Sequence, residues 1–212
     1  MIRWEAHACL PLHPAADFSP MDDLRAAGVN YVSLNVGMDM NPVPQIMSVI
    51  AAFRARIAAS PERYRLVSSV AEIREAAAAG QLAIGFDLEG AMPLLEQPEM
   101  VALYRDLGVR QIHFAYNRNN SVADGCHDEA RGLTPLGVRM VQAVNEAGLL
   151  MDCSHTGRRC SRADVGHAER EAKAVGIGSN VRAKGCQHRH DLRHRVHVHA
   201  DVDGDVIHTD LA

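Results

Sequence analysis

The stretch Leu82-Ala-Ile-Gly-Phe-Asp-Leu-Glu89 is a short apolar run that ends in a carboxylate. An alanine-rich segment at 71–79 precedes it and stops at Gly80, a residue type that readily adopts the left-handed conformation that ends a helix. Helix, glycine, apolar strand and polar loop is the order expected where helices alternate with the strands of a parallel sheet. This stretch therefore predicts an α/β fold.

The same order recurs along the chain. Each further cycle has a helix, a glycine and an apolar strand: 21–27, Gly28 and 29–36; 98–107, Gly108 and 109–116; 135–147, Gly148 and 149–153. An apolar strand at 2–9 opens the chain. Polar side chains at the carboxyl ends of successive parallel strands are typical of a β/α-barrel active site. We therefore expect a fold of the (β/α)8 TIM-barrel type.

Composition narrows the class of protein. A chain of 212 residues with 47% hydrophobic residues is sufficient for one domain with a sizeable core. Its net charge of −4 argues against a nucleic-acid partner. We find no leader-like N-terminus and no apolar run of bilayer length, so we expect no membrane association and a cytoplasmic location. Five cysteines without a CxxC pair predict reduced thiols.

The cyclic pattern fails near Arg162. A barrel of this type typically has about 250 residues, whereas only about five or six strands can be placed here. A histidine-rich and then aspartate-rich segment follows. We expect an incomplete barrel over 1–180 and an atypical, poorly ordered tail over 181–212, as truncation or a frame-shift would produce.

Three strand ends carry side chains that bind metal. His7 and Cys9 are two residues apart, so strand alternation would place them on one face. Glu89 could bridge two divalent ions, although Asp87 in the same run is equally acidic. His155 follows the strand at 149–153. The alternatives are a hydrogen-bonded histidine, a buried thiol, a helix-capping glutamate and a loop histidine with its hydrogen bonds satisfied.

Taken in order, the motifs resemble those of the renal, or membrane, dipeptidase family of zinc peptidases. The matching segments are Trp4-Glu-Ala-His7-Ala-Cys9-Leu-Pro-Leu, Phe86-Asp-Leu-Glu89-Gly90, Asn117-Arg-Asn119-Asn-Ser-Val-Ala-Asp124, Gly132-Leu-Thr-Pro-Leu-Gly137 and the run from Asn145 to His155. The resemblance implies a (β/α)8 barrel with two Zn²⁺ ions. It also implies hydrolysis of dipeptides, including dehydropeptides and some with a D residue at the carboxyl end.

The resemblance also assigns roles to residues. It implies that His7 binds the first zinc, that Glu89 bridges both, that His155 binds the second, and that a bridging hydroxide attacks the scissile carbonyl. Cys9 stands where the family has an aspartate ligand, and is a candidate ligand as a thiolate. Tyr116 stands at the position of a substrate-orienting histidine and is a candidate substrate-binding residue. By strand alternation, we expect His113 to point to the opposite face from Tyr116.

The family's later residues have no counterpart that we can identify. The region 174–180 lacks the zinc-binding histidine of the sixth strand, and the downstream arginine and aspartate are not found. We therefore hold three hypotheses. The first is a zinc-dependent dipeptidase-like hydrolase with a small-molecule dipeptide substrate. The others are a truncated, non-catalytic relative that at most binds metal, and an amidohydrolase with a non-peptide substrate. A homo-oligomer is left open.

Overall fold

The computed structural model of the protein describes residues 2–161, in which strands and helices alternate. The strands are β1 (Trp4–Ala8), β2 (Tyr31–Met38), β3 (Tyr64–Leu66), β4 (Leu82–Glu89), β5 (Val109–His113) and β6 (Leu150–Met151). The helices are α1 (Ser19–Ala26), α2 (Val43–Ala58), α3 (Val70–Ala78), α4 (Glu99–Asp106) and α5 (Pro135–Glu146). A 3₁₀ turn, Met92–Leu94, follows β4.

The described strands form one parallel sheet. Its order is β1-β2-β4-β5-β6, and every paired strand runs in the same direction. β3 and β5 share one edge of β4, because β3 pairs with its first half and β5 with its second half. The predicted α/β fold is confirmed.

A hydrogen bond across the inside of the sheet shows that the sheet is curled. Gln111 of β5 donates from Nε2 to the carbonyl oxygen of Ala6 in β1, at 3.2 Å. In a flat sheet these strands, three steps apart, would be separated by about 14 Å. The described strands therefore form part of a barrel wall, as the sequence predicted.

The two faces of the sheet have opposite character. The side chains of β2 and β4 that pack against the helices are apolar and buried: Val32, Leu34, Val36, Ile84, Phe86 and Leu88. The alternate positions carry buried polar groups, namely Ser33, Asn35, Asp87 and Glu89. Burial of apolar surface on the outer face stabilises the fold by about 25 cal/mol per Å². The outer face thus supplies the apolar core, and the concave face carries the polar groups that can form a site.

Element ends agree with the glycine pattern. Gly80 and Gly148 follow α3 and α5 with φ of +70° and +68°. Three strands are shorter than predicted, because β1 spans only Trp4–Ala8, β5 ends at His113 and β6 ends at Met151. No helix within residues 2–161 is long and apolar enough to cross a membrane. The predicted tail and the segment 174–180 lie outside the described residues.

Candidate metal centre

Two histidines converge on one glutamate at the carboxyl ends of the strands. Glu89, the last residue of β4, is buried, and its Oε1 lies 3.5 Å from His7 Nε2 and 3.6 Å from His155 Nε2. His7 lies in β1, and His155 follows β6. The structure therefore brings together three of the four residues that the sequence analysis named as metal ligands.

Asp87 belongs to the same cluster. It precedes Glu89 by two residues on β4, so both carboxylates point to the concave face. Its Oδ1 lies 3.3 Å from His7 Nδ1 and accepts a hydrogen bond of 2.9 Å from Asn35 Nδ2. The sequence left Asp87 and Glu89 as alternatives, but in the fold both carboxylates contact His7.

Asn117 determines how the His155 ring is oriented. Its Oδ1 lies 2.8 Å from His155 Nδ1, and because an amide oxygen only accepts, Nδ1 must carry the proton. In the neutral ring, Nε2 then presents a lone pair toward Glu89 Oε1. Two acceptors face one another there unless the ring or the carboxyl is protonated, and a bound cation would satisfy both.

His113 also lies on the concave face, so the prediction that it points away from the Tyr116 side is wrong. The His113 ring centre is 5.3 Å from that of His155, and the Tyr116 ring centre is 4.6 Å from the same ring. Strand alternation does not extend from His113 to Tyr116, because β5 ends at His113 and the chain bends at Phe114.

Burial makes His113 a neutral imidazole. Desolvation lowers the pKa of His113 to about 3, against the opposing attraction of Asp152. For Asp152, burial alone would raise the pKa, but attraction to His113 in its protonated form and the hydrogen bonds from Ser154 and Gln111 together hold the pKa below its usual value. Asp152 also accepts hydrogen bonds from Gln111 Nε2 at 2.8 Å and from the Ser154 N–H at 2.7 Å. A neutral ring and a carboxylate thus lie behind the cluster.

Cys9 lies beyond the end of β1. It is exposed, and its thiol donates to the carbonyl oxygen of Leu10 at 3.4 Å. Because β1 ends at Ala8, alternation within the strand does not pair Cys9 with His7. Its role as a ligand stays a prediction.

The donor set fits a divalent cation, although it is not arranged to hold one as it stands. Within residues 2–161, no three His, Cys, Asp or Glu side chains are placed so that they could all coordinate one metal ion. Metal binding would therefore need side-chain rearrangement. Asp87 Oδ2 and His113 Nε2 are buried without a hydrogen-bond partner. Buried carboxylate oxygens are costly when unpaired, and a cation would satisfy them.

Comparison with known proteins identifies the lineage. The family model described as "Membrane dipeptidase (Peptidase family M19)" matches residues 26–170, more than half of the chain. This chain belongs to the membrane dipeptidase family. The resemblance read from the motifs is thereby confirmed.

Curated proteins similar to this chain are also named as dipeptidases. An uncharacterized dipeptidase of Schizosaccharomyces pombe is 36% identical over 72 residues, which are 32% of this chain and 18% of that protein. A dipeptidase of Claviceps purpurea is 27% identical over 101 residues, 46% of this chain and 24% of that protein. The matches thus span about a quarter or less of these relatives.

Solved structures support the fold of this dipeptidase-family chain. An amidohydrolase from Pseudomonas aeruginosa superposes with a TM-score of 0.72 at 23% identity, covering 79% of this chain and 50% of that one. A metallo peptidase from Rhodobacter sphaeroides, solved with a phosphinate mimic of the dipeptide L-Ala-D-Ala, gives 0.67 at 16% identity, covering 80% and 63%. The chain spans about half to two thirds of these structures.

Proposed function

We propose that this membrane dipeptidase family chain is a metal-dependent dipeptidase that hydrolyses the amide bond of a dipeptide. One observation carries the proposal: His7 and His155, far apart in sequence, both direct Nε2 at the same buried Glu89 oxygen. A structural carboxylate needs no such pair of imidazoles from the two ends of the described sheet. A metal centre does need ligands from several strands.

His7, Glu89 and His155 are the residues that would hold the metal, and Cys9 is a further candidate. Imidazole and carboxylate ligands suit Zn²⁺, which the proposal takes as the cofactor, with two ions by family resemblance. When bound, such ions supply Lewis-acid polarisation of a carbonyl oxygen and activation of water. Asp87 holds the other nitrogen of His7, which directs Nε2 toward Glu89.

Tyr116 is proposed to contact the substrate. Its ring lies against His155, and a phenol can donate a hydrogen bond to a peptide carbonyl oxygen. Neutral His113 adds no positive charge beside the ligands, so it does not repel a cation. For the substrate class we propose dipeptides, including those with a D residue at the carboxyl end, as the bound mimic in the Rhodobacter sphaeroides protein suggests.

The test uses the full 212-residue chain, reconstituted with Zn²⁺ and assayed for zinc content and for hydrolysis of L-Ala-D-Ala and L-Ala-L-Ala. Glu89→Gln removes the charge at the shared oxygen. We expect its zinc affinity to fall at least about tenfold and kcat/KM about a hundredfold. Glu99→Gln, the same change on the exposed surface of α4, should leave both unchanged.

Two results would contradict the proposal. Zinc binding that is the same in wild type and Glu89→Gln would remove the metal centre from this position. Stoichiometric zinc without turnover of any dipeptide would instead support the hypothesis of a non-catalytic relative that only binds metal.

A further inference from the structure

Asp39 lies where three loops meet beside the candidate metal centre. It directly follows β2, is half-buried, and its backbone N–H donates to the carbonyl oxygen of Glu89 at 3.0 Å. None of the family motifs quoted above includes it. Its carboxylate nevertheless accepts three hydrogen bonds from residues in two other loops.

Both oxygens of the Asp39 carboxylate accept hydrogen bonds from other loops. Oδ1 accepts from the Met92 N–H at 2.9 Å, in the turn after β4. Oδ2 accepts from the Tyr116 N–H at 3.0 Å and from Asn120 Nδ2 at 3.2 Å, in the loop after β5. One side chain thus connects the ends of β2, β4 and β5.

Gly90 makes room for this carboxylate. Its φ is +135°, which side-chain-bearing residues rarely adopt, and a Cβ there would overlap Asp39 Oδ1. Gly90 therefore does more than allow the chain to turn. Because it has no side chain, the Asp39 carboxylate can lie next to Glu89 of the candidate metal centre.

We propose that Asp39 is a positioning residue of this site, whose carboxylate holds the Tyr116 loop in register with the end of β4. Only a carboxylate accepts on both sides. In an asparagine, the NH₂ group would face either the Met92 N–H or the donors of Tyr116 and Asn120. Asp39→Asn therefore keeps the size of the side chain and breaks one side of the connection.

The first experiment tests whether Asp39 affects the environment of Tyr116. The protein is labelled with 3-fluorotyrosine and observed by ¹⁹F NMR, and Tyr116→Phe identifies the Tyr116 signal among the four tyrosines. Asp39→Asn should shift or broaden that signal and leave those of buried Tyr31, Tyr64 and Tyr104 in place. Asp23→Asn, the same change at an exposed position of α1, should leave all four unchanged.

The second measurement rests on the proposed function. In a double-mutant cycle on L-Ala-D-Ala hydrolysis, Asp39→Asn alone should lower kcat/KM about tenfold. In the Tyr116→Phe background the loss should be clearly smaller, because Asp39 acts through Tyr116. A general loss of stability would lower activity by the same factor in both backgrounds.

The outcomes separate the two proposals. An unchanged Tyr116 signal in Asp39→Asn, or an equal disturbance of all four signals, overturns the positioning role. Additive losses of kcat/KM overturn it as well. A Tyr116-specific shift in a chain without dipeptide turnover supports the positioning role and counts only against the proposed activity.

Discussion

Asn117 combines an unusual backbone conformation with a side chain that contacts the candidate metal centre. Its φ is +65°, in the left-handed region, and His155, which it contacts, has a φ of +60°. Asparagine tolerates this region better than most residues, and glycine tolerates it best. The side chain also accepts from the Cys126 thiol at 3.3 Å. Two residues with left-handed backbone conformation thus meet in a hydrogen bond that orients the His155 ring.

Removal of this side chain should weaken metal binding without strain in the backbone. In Asn117→Gly the left-handed conformation is retained but the acceptor for His155 Nδ1–H is lost, so we expect zinc affinity to fall about 10- to 100-fold. Asn117→Asp keeps an oxygen acceptor and should stay within a few-fold of wild type. Calorimetric zinc titration of both variants measures the difference. Equal affinities would show that His155 does not depend on this contact.

At the residue scale, the sequence predicted the acids and imidazoles at strand ends but not their mutual contacts. Glu89 and His155 were candidates because each comes at the end of an apolar strand, and the family resemblance selected them over their alternatives. His113 was placed on the wrong face because alternation was extended past the true end of β5. Asp39 gave no signal, since a single aspartate after a strand is common and its contacts come from loops distant in sequence.

The first turn of α3 shows a local capping arrangement. Ser69 is the N-cap, and its side chain accepts from the Glu72 N–H. Glu72 in turn accepts from the N–H and hydroxyl of Ser68. The Ser68 amide is the largest reason why the pKa of Glu72 lies below its usual value of 4.5. Such reciprocal bonds satisfy helix donors that would otherwise have no partner.

The lowered pKa of Glu72 predicts a pH-dependent contribution to stability. A carboxyl with a lower pKa in the folded state stabilises the fold above its unfolded pKa, and this contribution is lost as the pH falls through the folded value. Glu72→Gln should therefore lower the free energy of unfolding at pH 7 by less than about 1 kcal/mol, since the residue is only partly buried and solvent screens its charge.

Urea unfolding at pH 7 and near pH 3 tests this expectation. The difference between wild type and Glu72→Gln should shrink at the lower pH. Glu146→Gln, the same change at an exposed position of α5 away from this cap, is the matched control. The same pH dependence for both variants would contradict the capping explanation.

At the element scale, glycine-ended helices were the most reliable signal. The ends of α3 and α5 were predicted within one or two residues, because a left-handed glycine is a local requirement. β3 was not predicted, since Tyr64–Leu66 is only three residues long and its pairing with β4 is not visible in its own sequence. The alanine-rich stretch at 51–59 indicates only the second half of α2, which begins at Val43.

The stability of the whole molecule should depend on the outer face of the central strands. Leu34 of β2 is fully buried in the main core, whereas Leu103 of α4 is 48% exposed. Leu34→Ala should lower the free energy of unfolding by about 2–5 kcal/mol, because it leaves a cavity. Leu103→Ala should change it by less than about 1 kcal/mol. Denaturant unfolding compares the two, and similar losses would contradict the assigned core.

At the scale of the whole molecule, the sequence predicted the parallel sheet and the barrel type, because both follow from the order of elements. It did not predict that β3 and β5 share one edge of β4, or that Gln111 reaches Ala6 across the concave face. Those features depend on register and curvature, which arise only when all strands are assembled.

The placement of the acids and the imidazoles has a consequence for assembly. Glu89 belongs to β4, which has hydrogen-bonded neighbours on both edges, whereas His7 lies in the first strand of the described sheet and His155 follows the last strand. Local fraying at either end would withdraw an imidazole and leave the carboxylates in place. A cation bound by His7, Glu89 and His155 would therefore crosslink both ends of the described sheet to its central strand. The stability of this curled sheet would then increase with the concentration of the metal ion.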